Sequence, residues 1–205
     1  MPTAPTATVR GRRIPPRTLR RASSLLLISS CVLAGFCLHA QAQQPKASEF
    51  QVKAAYLYNF GRFVEWPHEN ASDKNEAFEI CVLGADPFGP ALDATVAKET
   101  IAGKAVAAKR ISKPQDVDSC RIVFISSSEE GHLKEVLAAL DKTSVLTVSD
   151  IPHFSQRGGM IGFILDGDRV RFDVNLASAQ DARLTLSSEL LKVATNVRKD
   201  RTGDF

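Results

Sequence analysis

The sequence predicts an α/β fold: a mainly parallel sheet flanked by helices on both faces, with a C-terminal β-hairpin and a closing helix. Three observations predict it. Between residues 78 and 148, short apolar runs bounded by turn residues alternate with amphipathic stretches, the pattern of strand–helix units around a parallel sheet. Later, two apolar runs flank Asp166-Gly167, a strong hairpin signal that suits a type I′ turn. Finally, an N-terminal leader of 42 residues leaves 163 of the 205, the length of one domain with a single good core.

The leader is expected to be a secretory signal peptide, residues 1–42. Arg10, Arg12, Arg13, Arg17, Arg20 and Arg21 form a basic flank without an acidic residue, the run from Ser24 to Leu38 is apolar, and Ala40-Gln41-Ala42 is a small-x-small cleavage signal. The apolar run is shorter than the ~20 residues a spanning helix needs. Ile28-Ser29-Ser30 before Cys31 is a loose lipobox, but it would leave too short an apolar core, and the residues after Arg20-Arg21 fit a twin-arginine signal poorly. The predicted product is an exported protein, residues 43–205, with one domain.

Cleavage changes the electrostatic reading. The leader holds six of the 26 basic residues and none of the 23 acidic ones, so the net charge goes from +3 to −3. The basic character belongs to the discarded peptide and implies no nucleic-acid partner. Of four cysteines, Cys81 and Cys120 remain. Two thiols in an oxidising compartment read as one disulfide, while His68, His132 and His153 lack metal-ligand spacing. No cofactor or metal is expected.

In the mature chain, Ser48 and Gln51 form a capping box that opens a helix to about Glu65, stopped by Trp66-Pro67. Phe50, Ala54, Leu57, Gly61 and Val64 make one apolar face; Tyr56, Phe60 and Phe63 make a second, leaving Gln51, Asn59 and Arg62 as a narrow polar strip. The second face either completes a core helix or packs on a partner subunit. His68–Asn75 reads as a loop, Phe78–Leu83 as a buried strand, and Pro90–Lys98 as a helix with proline in its first turn. Lys104–Ile111 suits a strand near a sheet edge, and Arg121–Ile125 is another buried strand. Ser126-Ser127-Ser128 supplies a helix cap, followed by an inward face of Leu133, Val136, Leu137 and Leu140 and a strand at Val145–Val148. Met160–Leu165 and Arg169–Val174 form the hairpin, and Ser187 to about Val197 the closing helix. If the first and third strands are parallel neighbours, Cys81 and Cys120 come within disulfide reach at the end of the sheet away from its ligand rim.

In open α/β sheets that rim lies at the carboxyl ends of the strands, which puts Asp86, Ser127 and Asp150 forward as candidate ligand residues. Ordinary turn chemistry accounts for the same aspartates. No G-x-G-x-x-G, P-loop, G-x-S-x-G or H-E-x-x-H occurs, and the rim serines near His153 read as helix caps rather than nucleophiles, so no enzyme activity is expected. Arg171 lies within an apolar strand; if buried it needs a carboxylate, with Asp150 and Asp173 as candidates.

Four segments resemble one family. KAAYLYNFGRFVEWP (Lys53–Pro67), ICVLGADPFG (Ile80–Gly89), VLTVSD (Val145–Asp150) and GGMIGF…VRFDVN with Ala177 (from Gly158) occur in this order in the YfiR family. The resemblance implies a periplasmic, dimer-forming α/β protein without known catalysis. Such proteins restrain an inner-membrane diguanylate cyclase, YfiN, through its periplasmic sensory segment, and an outer-membrane OmpA-like lipoprotein, YfiB, releases that restraint. Envelope stress thereby reaches cyclic di-GMP and biofilm formation. Cys81 and Cys120 match a cysteine pair of the family, but a second pair found in some members has no counterpart here, which leaves less room for redox regulation. Aromatic and arginine side chains commonly anchor interfaces, so Tyr56, Phe63, Arg62, Glu65 and Trp66 are the candidate partner contacts. Arg171 and Asn175 fit the family motif and are equally compatible with a structural role. The alternative is a small-molecule-binding module that uses the strand rim.

Overall fold

The computed structural model describes residues 48–67, 77–141 and 143–199; the predicted export signal and the predicted 68–75 loop lie outside them. The first helix, α1 (Glu49–Phe63), begins as expected: Gln51 donates its backbone N–H to Ser48 Oγ, and Ser48 donates its own to Gln51 Oε1. It stops two residues early. Val64 is extended, and β1 (Val64–Glu65) pairs antiparallel with β9 (Thr185–Leu186). Ser187 N–H donates to the carbonyl of Phe63, so the helix end is satisfied by a distant segment that local pattern does not reveal.

Then follow β2 (Phe78–Leu83), α2 (Pro90–Val96), β3 (Thr100–Ile101), β4 (Lys104–Ile111), β5 (Cys120–Ile125), α3 (Leu133–Ala139) and β6 (Leu146–Ser149). The chain continues with β7 (Ile161–Asp166), β8 (Arg169–Asn175), α4 (Leu176–Asp181), β9, α5 (Ser188–Val193) and β10 (Asn196–Arg198). Among the described residues, eight strands form one sheet in the order β10-β8-β7-β6-β5-β2-β4-β3. β4, β2, β5, β6 and β7 run parallel; β3 pairs antiparallel with β4 and β8 with β7, while β10 runs parallel to β8. Mixed sheets of this kind carry their antiparallel members at the margins.

Both faces are covered. Ile80, Val82, Ile122 and Phe124 pack into one apolar cluster with Ala54, Leu57 and Phe60 of α1 and Leu92 of α2. The alternate residues Cys81, Leu83, Val123 and Ile125 pack into a second with Leu133 and Val136 of α3. Strand side chains alternate with a period of two, so continuous apolar strands such as FEICVL feed both layers. β2 and β5 are adjacent and parallel, and Cys81 and Cys120 form the disulfide with Cα atoms 5.9 Å apart.

Two local expectations are corrected. In the hairpin, Asp166 pairs with Arg169, so the loop residues are Gly167-Asp168, with Gly167 alone of the two at positive φ (+58°). Glycine at the first loop position is the type II′ pattern, not the type I′ expected for a central Asp-Gly pair. The closing helix ends at Val193; Ala194 is extended and β10 takes the remainder, with Thr195 N–H donating to Phe172 O. Thr195, Asn196 and Val197 are weak helix formers, and β8 offers them an open edge. The helix α4, capped by Asn175, is an addition to the predicted elements.

Candidate functional site

An open parallel sheet binds ligands where its strand order reverses, because the loops part there. The order reverses at β2, with β4 on one side and β5 on the other. Here that crevice is filled. Ser126 N–H donates to Leu83 O, and Ala85 N–H donates to Ser128 Oγ. A Cβ at Gly84 would lie 2.4 Å from Ser128 Oγ and 2.5 Å from Glu129 Oε1, and Gly84 itself has φ +88°. Ser126 and Ser128 therefore act as cap and plug.

Asp86 is also used structurally. It accepts from Phe88 N–H and from Arg110 Nε (3.0 Å), while Arg110 forks onto both carboxylate oxygens of Asp93 at 2.7 and 2.6 Å. The hydrogen bonds from Arg110 hold the Asp93 carboxyl below its ordinary range, and the two carboxylates in turn hold the guanidinium up.

A sizeable opening lies instead at the ends of β6 and β7. A cavity of about 640 Å³ is lined there by Lys53, Ser127, Asp150, Phe163, Leu165 and Asp173, among others. Of the three candidate rim residues, Ser127 and Asp150 thus come together; Asp86 does not line it. Lys53 is the unforeseen member. Only 2% exposed, it bonds Asp150 Oδ2 at 2.6 Å and Glu49 Oε1 at 2.5 Å, and its ammonium lies 4.6 Å from the centre of the Phe50 ring. A cation at this depth needs such partners. The available signal was Glu49–Lys53 at i,i+4 with Lys53 interrupting the Phe50–Ala54–Leu57 face.

Asp173 is the second unforeseen member, and it is 9% exposed. Its Oδ2 accepts from Ser155 Oγ at 2.6 Å, and a Cβ at Gly162 would lie 2.5 Å from its Oδ1. Asn175, 1% exposed, ties the same region together: its Nδ2 donates to Ser155 O and its Oδ1 accepts from Ser178 N–H. Arg171 is exposed and pairs with Asp166 (2.8 Å), not with Asp150 or Asp173, because the hairpin tip extends past the core.

The candidate partner contacts separate into two places. Tyr56 is half-buried, 5.5 Å ring to ring from Phe172 and 5.8 Å from Phe60, which is itself 1% exposed; most of the second aromatic face therefore turns inward. Phe63 is 37% exposed beside Val193 at 68%, and both line a shallow apolar groove with Tyr56. Arg62, Glu65 and Trp66 line a different hollow, next to Thr100 and Lys104.

The sequence profile of YfiR/HmsC-like proteins matches residues 50–195, from α1 to the residue before β10. The chain belongs to the YfiR/HmsC-like family. At family level the match supports a periplasmic regulator of cyclic di-GMP signalling. Among the described residues no helix is long and apolar enough to cross a membrane. A conserved domain protein from Vibrio cholerae shares the architecture, with TM-score 0.51, 12% identity, and coverage of 75% of this chain and 61% of that one. An ABC domain from Streptococcus pneumoniae, solved in complex with L-Trp, matches with TM-score 0.49, 11% identity, and coverage of 70% and 60%. This chain thus spans about three fifths of each of these two solved chains, and the likeness to the Vibrio protein is one of fold.

Proposed function

We propose that this protein binds the periplasmic sensory segment of an inner-membrane diguanylate cyclase and holds the enzyme in its inactive state, lowering cyclic di-GMP and biofilm formation. It acts as a homodimer, and an outer-membrane OmpA-like lipoprotein releases the cyclase by sequestering it. The observation that carries this reading is the family match, which runs through both layers of the fold. Inhibition of this kind needs only differential affinity: a 100-fold preference for the inactive sensor is about 2.7 kcal/mol. The apolar edge of Phe63 and Val193, and the separate hollow lined by Arg62, Glu65 and Trp66, offer contact groups of suitable chemistry.

Deletion of the gene is expected to raise cyclic di-GMP, and complementation to lower it again. A Phe63→Glu variant should fail to complement while unfolding within about 0.5 kcal/mol of the parent, as surface changes usually do. No rise on deletion, with the cognate cyclase intact and expressed, would overturn the proposal.

The cavity at β6 and β7 favours a second reading, a module that binds a small molecule at the rim. The two are compatible, since a ligand there can tune affinity for a protein partner. Saturable binding of a metabolite to the purified protein would support it.

A further inference from the structure

We propose that the cavity at the ends of β6 and β7 selects a small organic cation, an amine with an apolar tail. This rests on the second reading, that the cavity is a ligand site, and adds the ligand's chemistry. The charge balance points to it. Lys53 already has two carboxylate partners, Glu49 and Asp150, so this trio is one negative charge in excess. Asp173 adds another, and among the described residues no basic side chain is paired with it; Ser155 satisfies Oδ2 only.

A carboxylate this deep is an expensive group to keep without a cation. It is nonetheless built in with care. Gly162 leaves the space that Oδ1 occupies, and Ser155 and Asn175 fix the surrounding backbone and side chains. Phe163, which faces the Lys53 ammonium at 5.9 Å, and the exposed Ile164 and Leu165 provide the apolar wall. An ammonium entering here gains a charge-assisted hydrogen bond to Asp173 and an aromatic face, while its tail covers the wall. A ligand carboxylate would meet Glu49, Asp150 and Asp173 with like charge, and Lys53, the buried cation among the described lining residues, is already engaged, with His153 the other basic side chain of the lining.

The test is calorimetric titration of the purified mature protein with 2-phenylethylamine, its neutral analogue 2-phenylethanol and the anion 3-phenylpropanoate. The amine is expected to bind at least ten-fold more tightly than the alcohol, and the anion most weakly. Asp173→Asn, which keeps an acceptor for Ser155, should weaken amine binding and remove that preference. Should it fail to fold, Glu49→Gln at the cavity mouth should reduce the preference several-fold. Equal or tighter binding of the alcohol or the anion would overturn the cation assignment and leave the ligand site standing. Absence of binding by all three at millimolar concentration would overturn both, as would an amine preference that survives in each folded variant.

Discussion

Below the rim, β2 and β5 are joined by the Cys81–Cys120 disulfide, which runs from the middle of β2, not its amino end as expected, to the first residue of β5, with both cysteines buried in an apolar layer. At the carboxyl end the links are ionic: Lys53 with Glu49 and Asp150, and Arg110 with Asp86 and Asp93. A covalent link keeps its strength through changes of pH and salt, whereas ion pairs weaken as carboxylates take up protons and, where exposed, as salt rises. The order of β2 and β5 is therefore locked covalently, whereas the lining of the cavity at β6 and β7 is held in part by the Lys53 ion pairs. Fixed scaffold and ionic rim belong to different strands of one sheet.

The sharpest way to break this contrast is to remove the staple. Reduction, or the Cys81→Ser/Cys120→Ser pair, closes no loop across the 39-residue separation and should cost about 4 kcal/mol in denaturant unfolding. A loss below about 1 kcal/mol would mean that packing alone holds β2 against β5. Next comes Lys53→Met, which leaves two carboxylates beside an apolar layer. Asp150 is 19% and Glu49 36% exposed, so water relieves part of the penalty, and a loss of about 2 kcal/mol is expected. An unchanged or raised stability would show that the buried cation is held for function, not for folding.

Gly162→Ala tests the space given to Asp173. Its new methyl carbon would sit 2.5 Å from Oδ1, which forces a shift and a loss of about 1–2 kcal/mol; a neutral result would show that Asp173 moves freely. The smallest effect belongs to Asp93→Asn. The Asp93 carboxyl is held below its ordinary value of 3.8, so its stabilising contribution is complete above that pH and fades as pH falls through the depressed folded value. Asp93 is 55% exposed, and the wild type should exceed the variant by less than about 1 kcal/mol at neutral pH, the gap closing in acid. A gap that widens in acid would reverse the sign and exclude the pairing as its cause.

Local pattern was a good guide where one segment's own chemistry decides its state. The Ser48–Gln51 box, the apolar strands FEICVL and RIVFI, Pro90 in the first turn of α2 and the two runs of the hairpin all lie where sequence puts them. It failed where the partner lies elsewhere. Val64 leaves the helix because β9 and Ser187 meet it, and Val197 becomes strand because β8 has an open edge. For the site, Ser127 and Asp150 line one cavity, but position after a strand could not separate them from Asp86, which Arg110 claims from a neighbouring strand.

By itself, then, the sequence determined the class of fold, the layering and the cysteine pair, because hydrophobic period, caps and turn residues act over a few positions. Only the tertiary structure decided that the switch point is filled, that the opening lies two strand gaps along the sheet, and that Lys53 and Asp173 line it. The physical reason is range. A buried charge is stable or not according to groups brought from far along the chain: Asp150 is 97 residues from Lys53, and Ser155 is 18 from Asp173.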